Sequence, residues 1–166
     1  MTETAQRFRF HVVGLPHTRI CNVQDYSCCA FSLAIRGFIR MMMSLGHEVI
    51  FYGSDDSDIT CTERVVINTK TQREAWFGAD DGRQGFFRTK FDRNQTEWAA
   101  LNRRAIGAID LRIQPHDFIC IQGGHAQSPI GEAFPNHHTV EYLIGYDGTF
   151  AKFRDPDGNT FVLSSS

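Results

Sequence analysis

The sequence predicts an α/β domain with a mainly parallel sheet that ends in a β-hairpin. Three observations support this fold class. Residues 7–52 follow the order strand, helix, strand, as in a right-handed βαβ unit. A second buried strand at 117–122 has the same design as the first, because both are apolar and both run into glycine followed by histidine. Near the end of the chain, Asp155-Pro-Asp-Gly158 is a strong turn sequence between two strand-like segments.

Length and composition favour a single packed domain spanning residues 1–166. The chain has 42% hydrophobic residues and fourteen phenylalanines, which is typical of a globular protein and not of a disordered one. A formal net charge of −2 provides no basic field for a polyanion, so no nucleic-acid partner is expected.

The sequence lacks the marks of a membrane or secreted protein. No apolar run approaches the roughly 20 residues that a membrane-spanning helix needs, and the polar start does not have the form of a signal peptide. The five cysteines lack the paired spacing of a zinc or CxxC redox site, so reduced thiols are expected. We therefore expect a cytoplasmic protein without a membrane span.

In the first half of the chain, periodicity predicts three strands and one helix. Phe8, Phe10 and Val12 alternate with polar residues in the first strand, and Gly46 is placed to end the helix. The predicted elements are strand 7–13, helix 26–45, strand 47–52 and strand 63–68. Residues 69–94 contain several glycines and mixed charges, and we expect them to form a long loop over the edge of the sheet.

The second half continues the alternation and then changes to antiparallel strands. Pro115 marks the end of a helix, and Pro129 suits the first turn of a short one. The predicted elements are helix 95–113, strand 117–122, helix 129–134, strand 139–144 and a hairpin of strands 149–154 and 159–164.

Two glycine loops are the main candidates for a binding site. Each follows an apolar strand, and ligands of open α/β sheets bind at the carboxyl ends of the strands. Glycine lets the backbone approach a ligand closely, and histidine and arginine add hydrogen bonds. The candidate residues of these loops are Gly14, His17, Arg19, Gly123, Gly124 and His125. The alternative is that both loops are tight turns with solvated side chains.

Glu141 is a further candidate because it is the one carboxylate inside a largely apolar strand. Burial would raise its pKa or require a partner for it. The alternative is an exposed face of an edge strand. Neither the acidic block 55–58 nor the pair His137-His138 has a recognised metal-ligand spacing, so no metal site is predicted. The G-x-G-x-x-G dinucleotide pattern is also absent, and no cofactor is predicted.

Four segments together resemble the N-terminal half of GT-B glycosyltransferases of bacteria and phage. They are FHVVGLPHT (10–18), MSLGHEVIFYG (43–53), CIQGG (120–124) and VEYLIGY (140–146). The resemblance implies one Rossmann-like domain on the acceptor side of a sugar-transferring enzyme, with His17 and Glu141 as catalytic residues. It implies a nucleotide-sugar donor and an unknown acceptor. Because no donor domain follows, it also implies a separate polypeptide that supplies that domain.

A second function class remains open beside sugar transfer. The chain would then be a non-catalytic module, derived from such an enzyme, that binds a nucleotide, a sugar or a partner protein. The segment 153–163 also resembles the last hairpin of vicinal-oxygen-chelate enzymes, but Val162 stands where those enzymes carry a glutamate metal ligand. This second resemblance is therefore treated as a local turn similarity.

Overall fold

A computed structural model gives the fold and describes residues 6–22, 29–79, 88–145 and 148–164. Within this part the chain forms a Rossmann-like α/β domain with one seven-stranded sheet that ends in a hairpin, as predicted. The strands are β1 (Arg9–Val13), β2 (Glu48–Ser54), β3 (Glu63–Asn68), β4 (Phe118–Ile121), β5 (His138–Gly145), β6 (Gly148–Arg154) and β7 (Thr160–Ser164). The helices are α1 (Ala30–Ser44), α2 (Lys70–Phe77), α3 (Thr96–Asp110) and α4 (Ser128–Ala133), with a 3-10 turn at Gly124–Gln127.

The strand order is β3-β2-β1-β4-β5-β6-β7. Strands β1 to β5 run parallel. Strand β6 pairs antiparallel with β5, and β7 pairs antiparallel with β6. The two glycine-ended strands are neighbours, since Val12 of β1 lies opposite Cys120 of β4 in a parallel pair. Their carboxyl ends therefore meet at one edge, which confirms the predicted position of the two glycine loops. The strand order reverses between β1 and β4, so this edge is also the switch point of the sheet.

Both faces of the central strands are covered, which explains their unbroken apolar sequences. Successive side chains point to opposite faces. Val12 therefore belongs to one core cluster with Ile35 and Ile39 of α1. Val13 belongs to the other cluster, with Leu101 of α3.

One helical prediction is corrected. Residues 70–77 were expected to lie in a loop, and they form α2 instead. A capping box starts this helix: the Thr69 hydroxyl accepts from the Gln72 amide, and the Gln72 side chain accepts from the Thr69 amide. Helix α1 begins at Ala30, and the predicted start of this helix at residue 26 lies in the segment 23–28, outside the described residues. Residues 80–87 of the expected loop also lie outside them. None of the described helices combines the length and apolarity needed to cross a membrane.

A buried polar chain links β1, β2 and the residue that precedes β4. The two ring nitrogens of His11 lie 2.8 Å from the Tyr52 hydroxyl and 2.8 Å from an Asp117 carboxylate oxygen. Burial lowers the pKa of His11 and outweighs the opposing effect of its hydrogen bond to Asp117. These contacts satisfy the polar groups inside the sheet, so His11 has a structural explanation.

Candidate functional site

At the switch point, the side chain of Gln127 fills the space between the two glycine loops. Its Nε2 donates to the Gly14 carbonyl at 2.7 Å. Its Oε1 accepts from the amides of Gln122 at 2.9 Å and Gly123 at 2.7 Å. The side chain is 0% exposed. The two loops therefore meet as predicted, but the crevice expected between them is closed by this amide.

The two loop glycines are required by packing. A Cβ on Gly14 would lie 3.1 Å from the Tyr52 carbonyl oxygen, and the Gly14 amide donates to that same oxygen at 2.8 Å. A Cβ on Gly123 would lie 2.7 Å from the ring of Trp98. Close packing against the Tyr52 carbonyl and the Trp98 ring thus explains both residues without a ligand.

Replacing Gly123 with alanine is expected to lower the free energy of unfolding by about 1–3 kcal/mol, because the new methyl group overpacks against Trp98. Urea denaturation measures this change. Gly107→Ala is the matched control, since nothing lies within 4 Å of a Cβ at Gly107 in α3. The control should gain about 0.5–1 kcal/mol from helix propensity. Equal effects of the two substitutions would contradict the packing explanation.

His17 lies inside the protein. It is 0% exposed, and its ring faces Phe77, Phe91 and Trp98 at centroid distances of 5.6 to 6.2 Å. Burial lowers the pKa of His17 to about 3, and the nearby charge of Arg73 adds to this effect. The imidazole is therefore neutral near pH 7. Cys29 Sγ lies 3.4 Å from His17 Nε2, but a neutral imidazole of such low basicity does not favour a thiolate beside it.

The other predicted loop residues are not gathered around one space. Gly124 has φ +56°, a left-handed conformation that favours glycine, and it opens the 3-10 turn. His125 is exposed, and its carbonyl accepts from the Ser128 hydroxyl. Arg19 is half-buried and contributes to the field at Asp56, at the end of β2. The ligand-binding roles assigned to these residues stay predictions.

A partly buried ion pair joins α2 to the turn after β2. Arg73 donates to the two carboxylate oxygens of Asp56 at 2.7 and 2.6 Å and to the Ser54 hydroxyl at 2.7 Å. Burial alone would raise the pKa of Asp56, but its hydrogen bonds from Arg73 and Ser54 lower it to about 2. Asp56 thus belongs to a structural ion pair and is not free to bind a metal.

Asn68, the last residue of β3, lies in the wall of an open pocket. It is 1% exposed, and neither its side-chain oxygen nor its side-chain nitrogen has a hydrogen-bond partner. Asn102 and Gln122 each leave one buried oxygen unpaired, so within the described ranges only Asn68 has a buried side-chain amide unpaired at both ends. The pocket has a volume of about 320 Å³ and is lined by Val66, Ile67, Asn68, Thr69, Gln72, Arg104 and Ala108.

The cation of this pocket is held in place by its neighbours. Arg104 Nη1 donates to the Gln72 side chain at 2.9 Å and to the Ile67 carbonyl at 3.2 Å. The guanidinium also lies 6.0 Å from the centre of the Trp76 ring, within reach of a cation–π contact. The residues that line the Asn68 pocket therefore include a fixed cation and an asparagine whose buried amide is unpaired.

Glu141 lines a second pocket, on the face of β5, β6 and β7 next to α4. This pocket has a volume of about 180 Å³ and is lined by Ile121, Ser128, Gly131, Glu132, Thr139, Glu141, Lys152, Arg154 and Thr160. Glu141 is half-buried and lies opposite Lys152 in the antiparallel pair. The structure does not bring Glu141 and His17 into this pocket together, and their catalytic roles stay predictions.

Comparison with known proteins identifies no family for this chain. No protein-family model matches it. No curated protein matches it significantly either. One solved structure that matches is the C-terminal domain of coenzyme A biosynthesis bifunctional protein CoaBC, with 13% identity and a TM-score of 0.43 over 97% of this chain and 90% of the other. Similarity at this level carries no argument about ligand or chemistry.

The expected membership of the GT-B glycosyltransferases is corrected by these findings. The matching structure is not a glycosyltransferase, and neither a family model nor a curated protein supports the resemblance. The structure adds a physical reason. The resemblance placed Gly14, His17 and Gly123 on an open cleft. Instead, the buried Gln127 side chain bridges Gly14 and Gly123, and His17 is buried against aromatic rings. Sugar transfer, the nucleotide-sugar donor and a binding module derived from such an enzyme are therefore withdrawn.

The sequence analysis did not predict three residues of the site: Gln127, Arg73 and Asn68. Gln127 follows the Gly-Gly-His segment, and its role depends on two strands that are distant in sequence. Arg73 was hidden because the surrounding segment was interpreted as a loop. Asn68 ends a correctly predicted strand, and a polar residue at the carboxyl end of a parallel strand was the one signal available for it.

Proposed function

We propose that this protein binds a small planar ligand with a carboxamide or lactam edge, which pairs with Asn68 in the pocket at the end of β3. The unpaired Asn68 amide carries the proposal. Native proteins rarely leave buried polar groups unsatisfied, because each costs about 1–3 kcal/mol. A ligand edge with a donor beside an acceptor pairs with both amide atoms at once. Side-chain amides read adenine edges in nucleic acids through the same bidentate geometry.

The pocket supports a small-molecule ligand by its size and position. Its volume of about 320 Å³ lies at the lower end of the roughly 300–1,000 Å³ typical of ligand pockets. It adjoins the carboxyl end of a parallel strand, the edge at which open α/β sheets bind ligands. Val66, Ile67 and Ala108 supply apolar wall, as a planar ring requires.

Arg104 gives the pocket a preference for ligands with a flat ring or an anionic substituent. Its guanidinium is held by Gln72 and Ile67 and uses Nη1 for both contacts. The rest of this planar cation is able to stack on a flat ring or to pair with an anionic substituent. Aromatic amides and lactams are therefore expected to bind more tightly than aliphatic ones.

The test uses ligands that differ only in the proposed edge. Nicotinamide and uracil carry it, whereas nicotinate lacks the amide and 1,3-dimethyluracil lacks the N–H donors. We expect nicotinamide or uracil to raise the melting temperature of the purified chain, and their edge-blocked analogues to leave it unchanged, since only ligands of the folded state stabilise it.

Asn68→Leu separates this proposal from a structural role of Asn68. Removing an unpaired buried amide should leave the ligand-free protein as stable as before or more stable, while the amide ligands no longer bind. Asn136→Leu, at an exposed asparagine, is the control and should retain binding. If Asn68→Leu destabilises the protein by more than about 1 kcal/mol and still binds the amides, the proposal is wrong.

A further inference from the structure

The pocket beside Glu141 contains charges of both signs that the protein leaves unpaired. Glu141 and Lys152 lie directly opposite each other across β5 and β6. Direct cross-strand neighbours have Cβ atoms about 4.5–5.5 Å apart, close enough for an ion pair. In the described part of the chain neither side chain makes an ion pair or hydrogen bond. Glu141 as a whole residue is half-buried.

Arg154 supplies a second cation, and its position is fixed. Its Nη2 donates to the Gly131 carbonyl at 2.6 Å and lies 3.4 Å from the Thr139 hydroxyl. These contacts tie the guanidinium to the start of β5 and to α4. The other guanidinium nitrogens have no protein acceptor among the described residues, so they are available to a carboxylate.

The remaining charged group of the pocket is already neutralised. Glu132 accepts two hydrogen bonds from Arg93, at 2.8 and 2.9 Å. The available charges are therefore one carboxylate, Glu141, and two cations, Lys152 and Arg154. Because Glu141 and Arg154 are diagonal neighbours, their backbones lie about 7–8 Å apart, which leaves room for a ligand between the two side chains.

We propose that this second pocket binds a small α-amino acid. The ligand's ammonium group pairs with Glu141, and its carboxylate pairs with Arg154 and Lys152. The volume of about 180 Å³ restricts the ligand to a small side chain. A simple anion would leave Glu141 unpaired, and a simple amine would leave the two cations unpaired. This site is separate from the Asn68 pocket and does not depend on the function proposed for that pocket.

The experiment compares three probes that differ by one charged group each: L-alanine, propionate and ethylamine. Backbone amide chemical shifts of the full chain are followed by NMR during titration at pH 7. We expect L-alanine to shift Thr139 and Lys152 and to bind about tenfold more tightly than either single-charge analogue, as expected for one added ion pair in a partly buried site.

Substitutions then test which side chain pairs with each charged group of the ligand. Glu141→Gln should weaken L-alanine binding about tenfold and leave propionate unchanged, because only the ammonium loses its partner. Lys152→Gln should weaken both L-alanine and propionate. Lys90→Gln, an exposed lysine outside the pocket, is the control and should change neither. Equal binding of L-alanine and propionate, L-alanine binding unaffected by Glu141→Gln, or no shifts in this pocket would each overturn the proposal.

Discussion

Gln127→Met is expected to lower the free energy of unfolding by about 3–6 kcal/mol. Methionine keeps the approximate volume and removes all three hydrogen bonds of the amide. The Gly14 carbonyl and the amides of Gln122 and Gly123 would then be buried without partners. Each unsatisfied group costs about 1–3 kcal/mol, and here three arise together. Chemical denaturation, followed by tryptophan fluorescence and circular dichroism, gives the change directly.

Gln114→Met is the control for this prediction. Gln114 is exposed, and its side chain makes no hydrogen bond within the described residues. Its substitution should change the stability by less than about 0.5 kcal/mol. If Gln127→Met also stays within 1 kcal/mol of the unmodified protein, the Gln127 amide does not hold the two loops together.

The sheet was predictable because its signals are local. Strands covered on both faces leave apolar runs, and glycine ends them, so β1 and β4 were located by their sequence alone. The prediction that both strands end at one edge of the sheet followed from the handedness of βαβ units. Helix α2 was missed because its residues are mostly polar and its start signal is the single capping box at Thr69 and Gln72. Without an apolar stripe, this segment resembles a loop.

The candidate site was only partly predictable, for a different reason. Sequence reasoning placed the glycine loops at the correct edge, yet it could not tell that the side chain of Gln127 fills the space between them. The Asn68 pocket depends on register as well. A shift between Gly53 and Ser54 pairs Ser54 with Asn68 and interrupts the regular alternation of side chains at the end of β3. Such irregularities arise from tertiary contacts, so a strand pattern does not reveal them.

Acidification is expected to destabilise the protein well above the pH at which carboxylates usually protonate. The pKa of His17 is about 3 in the folded protein and about 6.5 in an unfolded chain. Between these values the unfolded state binds more protons, so stability falls as the pH drops from about 6.5 toward 3, by on the order of 4 kcal/mol in total. The lowered pKa of His11 acts in the same direction. Below about pH 4, loss of the Asp56 charge from its ion pair with Arg73 adds to the effect.

His17→Leu tests the largest part of this pH dependence. Leucine has no titrating group, so the free energy of unfolding of the variant should vary less between pH 6.5 and 4.5 than that of the unmodified protein. The control is His125→Gln, which removes an exposed histidine and should leave the dependence unchanged. Urea denaturation at half-unit pH intervals gives both curves. Parallel curves for His17→Leu and the unmodified protein would mean that His17 titrates normally and is accessible to solvent. An imidazole with an ordinary pKa at that position requires water where the structure has Phe77, Phe91 and Trp98. The crevice between the glycine loops would then again be a candidate binding site.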